Sequence, residues 1–282
     1  MENRNITIAE LLNLVIIREW SAQKSGGASA KNVKVFMDWY GSNKPFRYIT
    51  TDIIRHFKSH CRDRLNYKPA TINRKLAAIS KLITYSMGMG GFTFEWGTPL
   101  VEYETENNQR KFIFTEPVEK QLLQTSTNCG YSQYNDLWFC LIETGCRVSE
   151  LLNLTWDNIE GDFIHLKDTK NGDDRYVPIF NKVKSMFERR RKLNLLFPFP
   201  YKLNAVEKTW AVIRKKMNMQ GEKDFVIHSL RHTYITRLLK RNVGIEVVQK
   251  VVGHRDIRMT QRYNHPSKDD LRNAIKLKKL TG

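Results

Sequence analysis

The chain has 282 residues, with 47 Lys and Arg against 29 Asp and Glu, giving a net charge of +18 at pH 7. Its 41% hydrophobic and 11% aromatic residues suffice for at least one sizeable core, which excludes wholesale disorder, and the length suits two domains. The longest apolar stretches, Leu11 to Ile17 and Leu137 to Ile142, fall far below the roughly 20 residues of a membrane span, and Glu2, Glu10 and Glu19 interrupt any export signal.

The excess charge implies a polyanionic partner, either nucleic acid or an anionic membrane surface. It is unevenly placed: residues 1–88 carry +9, residues 89–109 carry −4 and residues 110–282 carry +13. Cys61, Cys129, Cys140 and Cys146 lack the paired spacing of a zinc ribbon and are too few for a disulfide scaffold, so reduced thiols in a cytoplasmic protein are expected.

In chain order, Thr7-Ile8-Ala9-Glu10 is a capping box, followed by Leu11, Leu12, Val15 and Ile16 on one helix face, which predicts a helix over about 8–24. Ser25-Gly26-Gly27 ends it. Val33, Phe36, Met37 and Tyr40 mark a second helix, Thr51-Asp52 opens a third, and Pro69 opens a fourth with Ile72, Leu76, Ile79, Leu82 and Ile83 as its stripe. The polar side of the last two is basic, with Arg55, Arg62, Arg64, Lys68, Arg74, Lys75 and Lys81. Around an all-helical bundle, that cluster fits a clamp on a DNA backbone.

Residues 89–109 hold Gly90, Gly91, Gly97 and Pro99 with no helical period, the composition of a linker. The expected division is therefore a helical domain over 1–88, a linker over 89–111, a second domain over 112–265 and a tail over 266–282, where Leu271 and Ile275 suggest a short amphipathic helix. In the second domain Thr115, Pro117 and Glu119 start a helix, and Leu137 to Ile142 form an apolar one that stops at Gly145. Val148 and Leu151 continue in another. Phe163-Ile164-His165-Leu166, Asn171-Gly172 and Tyr176-Val177-Pro178-Ile179 then predict a β-hairpin. The fold class is mainly α (α+β), with a small antiparallel sheet in the second domain.

Several polar residues invite a chemical reading. Arg147 and Glu150 stand three apart at a helix start, where the carboxylate can orient the guanidinium. Lys170 adjoins the hairpin tip. His228-Ser229-Leu230-Arg231-His232 packs two imidazoles and a guanidinium into five residues, and Gly253-His254 and Tyr263 follow. One reading makes His228, His232, His254 and His265 ligands of a divalent metal, although Arg231 would then sit beside the cation. The other makes arginines and histidines a cradle for a phosphodiester, with tyrosine as nucleophile and no metal.

Thr144-Gly145-Cys146-Arg147-Val148-Ser149-Glu150-Leu151, the Lys170 hairpin with Arg175-Tyr176-Val177-Pro178, His228-Ser229-Leu230-Arg231-His232-Thr233, Val252-Gly253-His254 and Thr260-Gln261-Arg262-Tyr263 resemble, in order and spacing, the motifs of the tyrosine recombinases, the phage-integrase family. The likeness covers about 112–265, and Ala70 to Leu76 more loosely resembles the last helix of the family's core-DNA-binding domain. Val251-Val252 replaces a usual leucine pair, and Cys146 stands where Leu or Met is common.

The resemblance implies a site-specific recombinase acting on double-stranded DNA through a 3′-phosphotyrosyl intermediate, without cofactor or metal. Arg147 and Arg231 would clamp the scissile phosphate, His228 and His254 would serve as hydrogen-bond and proton-transfer partners, Lys170 as general acid, Tyr263 as nucleophile and Glu150 as support for Arg147. It further implies a C-shaped clamp, four copies joining two sites through a Holliday junction, accessory DNA-bending proteins and association with the nucleoid. The helical pattern that begins near Met1 leaves no expected room for an additional arm-binding domain. Integration of a phage or mobile element is the leading role. Chromosome-dimer resolution, type IB topoisomerase activity and DNA binding without catalysis are the alternatives. His232 is expected to pack or hydrogen-bond within its helix, and Trp210 to be core beside a basic edge.

Overall fold

The computed structural model describes residues 5–23, 25–106, 112–167, 174–264 and 272. The chain divides into two compact units, Met1–Asn108 and Gln109–Gly282.

The first unit is helical. Helix α1 (Ile8–Val15) starts as its capping box demands: the Glu10 N–H donates to Thr7 Oγ1 at 3.2 Å and the Thr7 N–H to Glu10 Oε2 at 2.9 Å. It runs on through a wider π-helical turn at Ile16–Trp20. Helices α2 (Gly26–Tyr40), α3 (Thr51–Asp63) and α4 (Pro69–Met87) follow. Thr50 caps α3 by accepting from the Ile53 N–H, and Pro69 supplies the preset φ of a first turn. The apolar stripes meet in one core around Phe36 and Phe57, whose rings pack edge to face at 5.0 Å, with Leu11, Val15, Leu76 and Ile79 fully enclosed.

The expected linker is in part a piece of this unit. Phe92 and Phe94 are buried against each other and Phe46, with ring centroids 5.1 and 5.7 Å apart. Beyond them an acidic strap lies on α3 and α4. Glu102 pairs with Arg55 at 2.6 Å, Glu104 with Arg62 at 3.3 Å, and Lys58 Nζ donates to the Glu102 carbonyl. Asn73 fixes the strap's backbone, donating to the Glu104 carbonyl at 2.9 Å and accepting its N–H at 2.8 Å. The exposed ion pairs contribute little each, so the Asn73 pair and the buried phenylalanines do most of the anchoring. Glycine and proline content alone concealed this, because the anchoring side chains are aromatic.

One basic residue is placed differently from expectation. Arg62, Arg64, Lys68, Arg74 and Lys81 are exposed, whereas Lys75 is only 6% exposed and its ammonium lies 4.6 Å from the centre of the Tyr67 ring. It directly precedes Leu76 on the buried side of α4, and burial lowers its pKa. Lys75 therefore does not belong to the exposed basic face.

The second unit packs helices around a small sheet. Helices α5 (Glu116–Asn128), α6 (Asn135–Thr144) and α7 (Val148–Leu152) precede strands β1 (Ile159–Glu160), β2 (Phe163–Leu166) and β3 (Arg175–Pro178). Then come α8 (Asn181–Arg191), α9 (Leu203–Lys216), α10 (His228–Lys240), α11 (Ile245–Val252) and α12 (Ile257–Gln261). The strands run β1-β2-β3, all antiparallel, with Ile164 opposite Val177 and Leu166 opposite Arg175. Strand β1 has no counterpart in the predicted hairpin; two residues are too short for a period to show.

Trp138, Trp210, Phe225 and Phe114 form the aromatic centre, with Trp210 stacked on Phe225 at 5.1 Å. Arg214 is bound to the carbonyls of Met219, Gln220 and Glu222, so it stabilises a loop. All four cysteines are free thiols, and Cys61, Cys140 and Cys146 are buried. Among the described residues no helix is long and apolar enough to cross a membrane. The expected tail helix, apart from Arg272, lies outside the described residues.

Candidate active site

Two left-handed glycines shape the site. Gly145 (φ +62°) ends α6, and a Cβ there would fall 2.3 Å from the Tyr234 ring, so the chain reverses tightly over α10 before Arg147 begins α7. Gly253 (φ +67°) ends α11 in the same way. A helix end leaves carbonyls without intrahelical donors and carries partial negative charge. Here three successive carbonyls hold three guanidinium groups: Val251 accepts from Arg175 Nε at 3.0 Å, Val252 from Arg231 Nη2 at 2.5 Å and Gly253 from Arg147 Nη2 at 3.0 Å.

The arginines come from separate elements. Arg147 heads α7, Arg231 sits on the inward face of α10, and Arg175 opens β3. Strand alternation puts Arg175 on the same inward side as Val177, where it is 8% exposed. Its charge is met by Glu150, which accepts from Arg175 Nη1 at 3.0 Å and Nη2 at 2.7 Å. Glu150 also takes Arg147 Nη1 and the Arg147 backbone N–H, each at 2.7 Å. Burial would raise the Glu150 pKa, but the bonds and charge of Arg175, then those of Arg147, outweigh it and set it at about 2. Arg231 is 2% exposed and also donates Nη1 to the Gly145 carbonyl at 2.7 Å. Burial first, and then the nearby charge of Arg147, bring its pKa down to about 10.

The imidazoles and the tyrosine close the other side. His254 Nδ1 pairs with Thr260 Oγ1 at 2.9 Å, and its ring lies parallel to that of Tyr263 at 6.3 Å. Burial, followed by the charges of Arg231 and Arg147, depresses its pKa to about 3, so His254 is neutral at physiological pH. The Tyr263 hydroxyl is in hydrogen-bond contact with His232 Nδ1, and His228 meets the His232 ring edge-on at 4.7 Å.

Of the six residues expected to act in catalysis, Arg147, His228, Arg231, His254 and Tyr263 gather with Glu150 in one cluster. Lys170 and His265 lie outside the described residues. Two members have no part in the phosphodiester reading of the sequence, which offers His232 only as a metal ligand or a packing residue. Arg175 had a detectable signal, since alternation on β3 turns it inward. His232 stood four residues after His228 on one helix face, which left its partner undefined until α12 brought Tyr263 to it.

A helical unit followed by a helix-rich unit with a three-stranded sheet, and three arginines, three histidines and a tyrosine gathered around one helix end, fit a DNA strand-transferring enzyme of the tyrosine class. Residues 113–270 match the phage integrase family, and the chain belongs to it. It is 28% identical to the tyrosine recombinase XerA of Saccharolobus solfataricus over 251 residues, 86% of this chain and 82% of that protein. It is 24% identical to the tyrosine recombinase XerD of Lacticaseibacillus casei over 283 residues, 94% of this chain and 95% of that one. The fold resembles the Tn1549 transposon integrase solved with circular intermediate DNA, with a TM-score of 0.78 and 18% identity, covering 96% of this chain and 99% of that one. The protein is a tyrosine site-specific recombinase, an enzyme that breaks and rejoins DNA strands.

Proposed function

We propose that Tyr263 attacks a scissile phosphate held by Arg147 and Arg231, leaving a 3′-phosphotyrosyl link and a free 5′ hydroxyl. The observation that carries this reading is the convergence of both guanidinium groups on the α11 carbonyls, beside His254 and within the cluster that contains Tyr263. Fixed forks of positive charge meet two non-bridging oxygens and offset the charge that grows at phosphorus. Neutral His254 is assigned the tautomer in which Thr260 donates to Nδ1 and the Nε2 proton is donated to a phosphate oxygen. His228 serves as a further hydrogen-bond partner, and Lys170 is assigned the proton that the leaving 5′ oxygen needs. Attack by a second strand's hydroxyl reverses the chemistry, so the exchanged phosphodiester conserves bond energy and no cofactor takes part.

The DNA partner, action as a tetramer on two sites through a Holliday junction, accessory bending proteins and a place on the cytoplasmic nucleoid belong to the same reading, as does the division into domains at 1–88, 89–111, 112–265 and 266–282. Exposed Arg62, Arg64, Lys68, Arg74 and Lys81 would meet phosphates. The biological role is integration or excision of a phage or mobile element. Chromosome-dimer resolution is the second reading, favoured by the XerD similarity along nearly the whole chain.

A nicked duplex that traps the intermediate tests the chemistry. The wild type should form a covalent 3′ adduct and Tyr263→Phe none; an adduct that persists in the variant overturns the assignment. Footprinting on genomic fragments separates the two roles, because element ends and a single chromosomal site are different targets.

A further inference from the structure

We propose that His232 is the general base that receives the phenolic proton of Tyr263. This rests on the reading of Tyr263 as nucleophile and adds a catalytic residue to it. The Tyr263 hydroxyl contacts His232 Nδ1, and the two ring centroids are 5.0 Å apart. His232 is 7% exposed on α10, a helix tied down where Thr233 Oγ1 donates to the Ser229 carbonyl and accepts the Phe114 N–H, both at 2.9 Å. The base is thus carried on a rigid element and shielded from water.

His254 is a poorer acceptor. Its Nδ1 is taken by Thr260, its ring faces Tyr263 without a hydrogen bond between them at 6.3 Å, and its surroundings hold it against protonation. Among the described residues, His228 on its own helix and Tyr263 from the C-terminal elements face His232, and His254 lies against the Tyr263 ring. Arg147, Arg175 and Arg231 act on His254 behind them.

The step balances. With its own proton on Nε2, neutral His232 accepts the Tyr263 O–H proton at Nδ1 while the Tyr263 Oη–P bond forms. The P–O5′ bond breaks, and the 5′ oxygen takes a proton from the acid assigned to Lys170. In the reverse step the imidazolium returns its proton to Tyr263 as the phenolate leaves. A phenol with pKa about 10 is ionised only about once in a thousand molecules at pH 7, and a positioned base contributes about 100-fold or more.

The test is single-turnover adduct formation on nicked duplex by wild type, His232→Phe and His232→Asn, from about pH 5.5 to about 9.5. Both variants should be slower by about 100-fold at pH 7, with the deficit shrinking as pH rises and hydroxide ionises the phenol. On the alkaline side wild-type rates should rise less steeply than those of either variant. A duplex with sulfur in place of the scissile 5′ oxygen has a leaving group that needs no proton, so it should leave the His232 deficit unrelieved. A deficit equal at every pH, rescue by the sulfur substrate, or wild-type rates in both variants overturns the proposal. If one variant does not fold, the pH dependence and sulfur-substrate response of the other still decide it. An adduct in Tyr263→Phe, by contrast, refutes the nucleophile assignment itself.

Discussion

Glu150 is shared by two guanidinium groups: Arg175 donates to both of its oxygens, at 3.0 and 2.7 Å, and Arg147 reaches them through Nη1 and its backbone N–H, each at 2.7 Å. One half-buried carboxylate thereby fixes the direction of Arg147 and neutralises an inward strand cation.

Glu150 has a folded pKa of about 2 against an ordinary 4.5, so its stabilisation is complete above about 4.5 and is lost as the pH falls toward 2. Glu150→Gln leaves Arg175 buried without its counter-charge, a loss of about 3 kcal/mol or more at pH 7. In urea unfolding, the gap between wild type and variant should narrow progressively below about pH 4.5.

Arg175→Lys keeps the charge but cannot meet both Glu150 oxygens and the Val251 carbonyl with one ammonium. With Arg147 loosened, cleavage of nicked DNA should slow by about 100-fold while affinity for the duplex stays within about 2-fold. Gel-shift and adduct assays on the same preparation separate the two quantities.

Gly253→Ala meets a double obstacle. The backbone is left-handed at φ +67°, and the new Cβ would lie 2.9 Å from Arg175, whose own contacts leave it little room to yield. A stability loss of about 2 kcal/mol is expected from strain and displacement together, read by urea denaturation, with slower cleavage because the Gly253 carbonyl also holds Arg147.

The acidic strap occupies three cations of α3, one of which, Arg62, the proposed function directs to phosphates. Replacing Glu102 and Glu104 by Gln removes the strap's carboxylates from Arg55, Lys58 and Arg62, while Asp52 stays beside Arg55 and Asp63 beside Arg62. Duplex affinity should rise, and the slope of log K against log salt should steepen by about 0.9 for each cation that newly meets a phosphate. Fluorescence anisotropy at several salt concentrations measures both.

Much of this was written locally. The Thr7 capping box, Pro69 at a first turn and Gly145 at a helix end are short-range rules, and they placed α1, α4 and α6. Apolar spacing did the same for the cores. Motif order alone picked out Arg147, His228, Arg231, His254, Tyr263 and Glu150, which the fold gathers in one cluster, because family resemblance is carried by residue type and spacing. Tertiary structure decided what sequence spacing does not encode. Lys75 went inside because its face of α4 packs against Tyr67, and Phe92 and Phe94 turned part of an expected linker into core.

Composition showed an excess of +18 with an acidic stretch between two basic blocks. Only the fold showed that part of this stretch neutralises cations of the first block, and that three arginines of the second converge on consecutive carbonyls of one helix. The same distinction holds for His232 and Tyr263, 31 residues apart and joined by a hydrogen bond. Charge and helical period are properties of a segment; a proton's acceptor is set by which segments pack together.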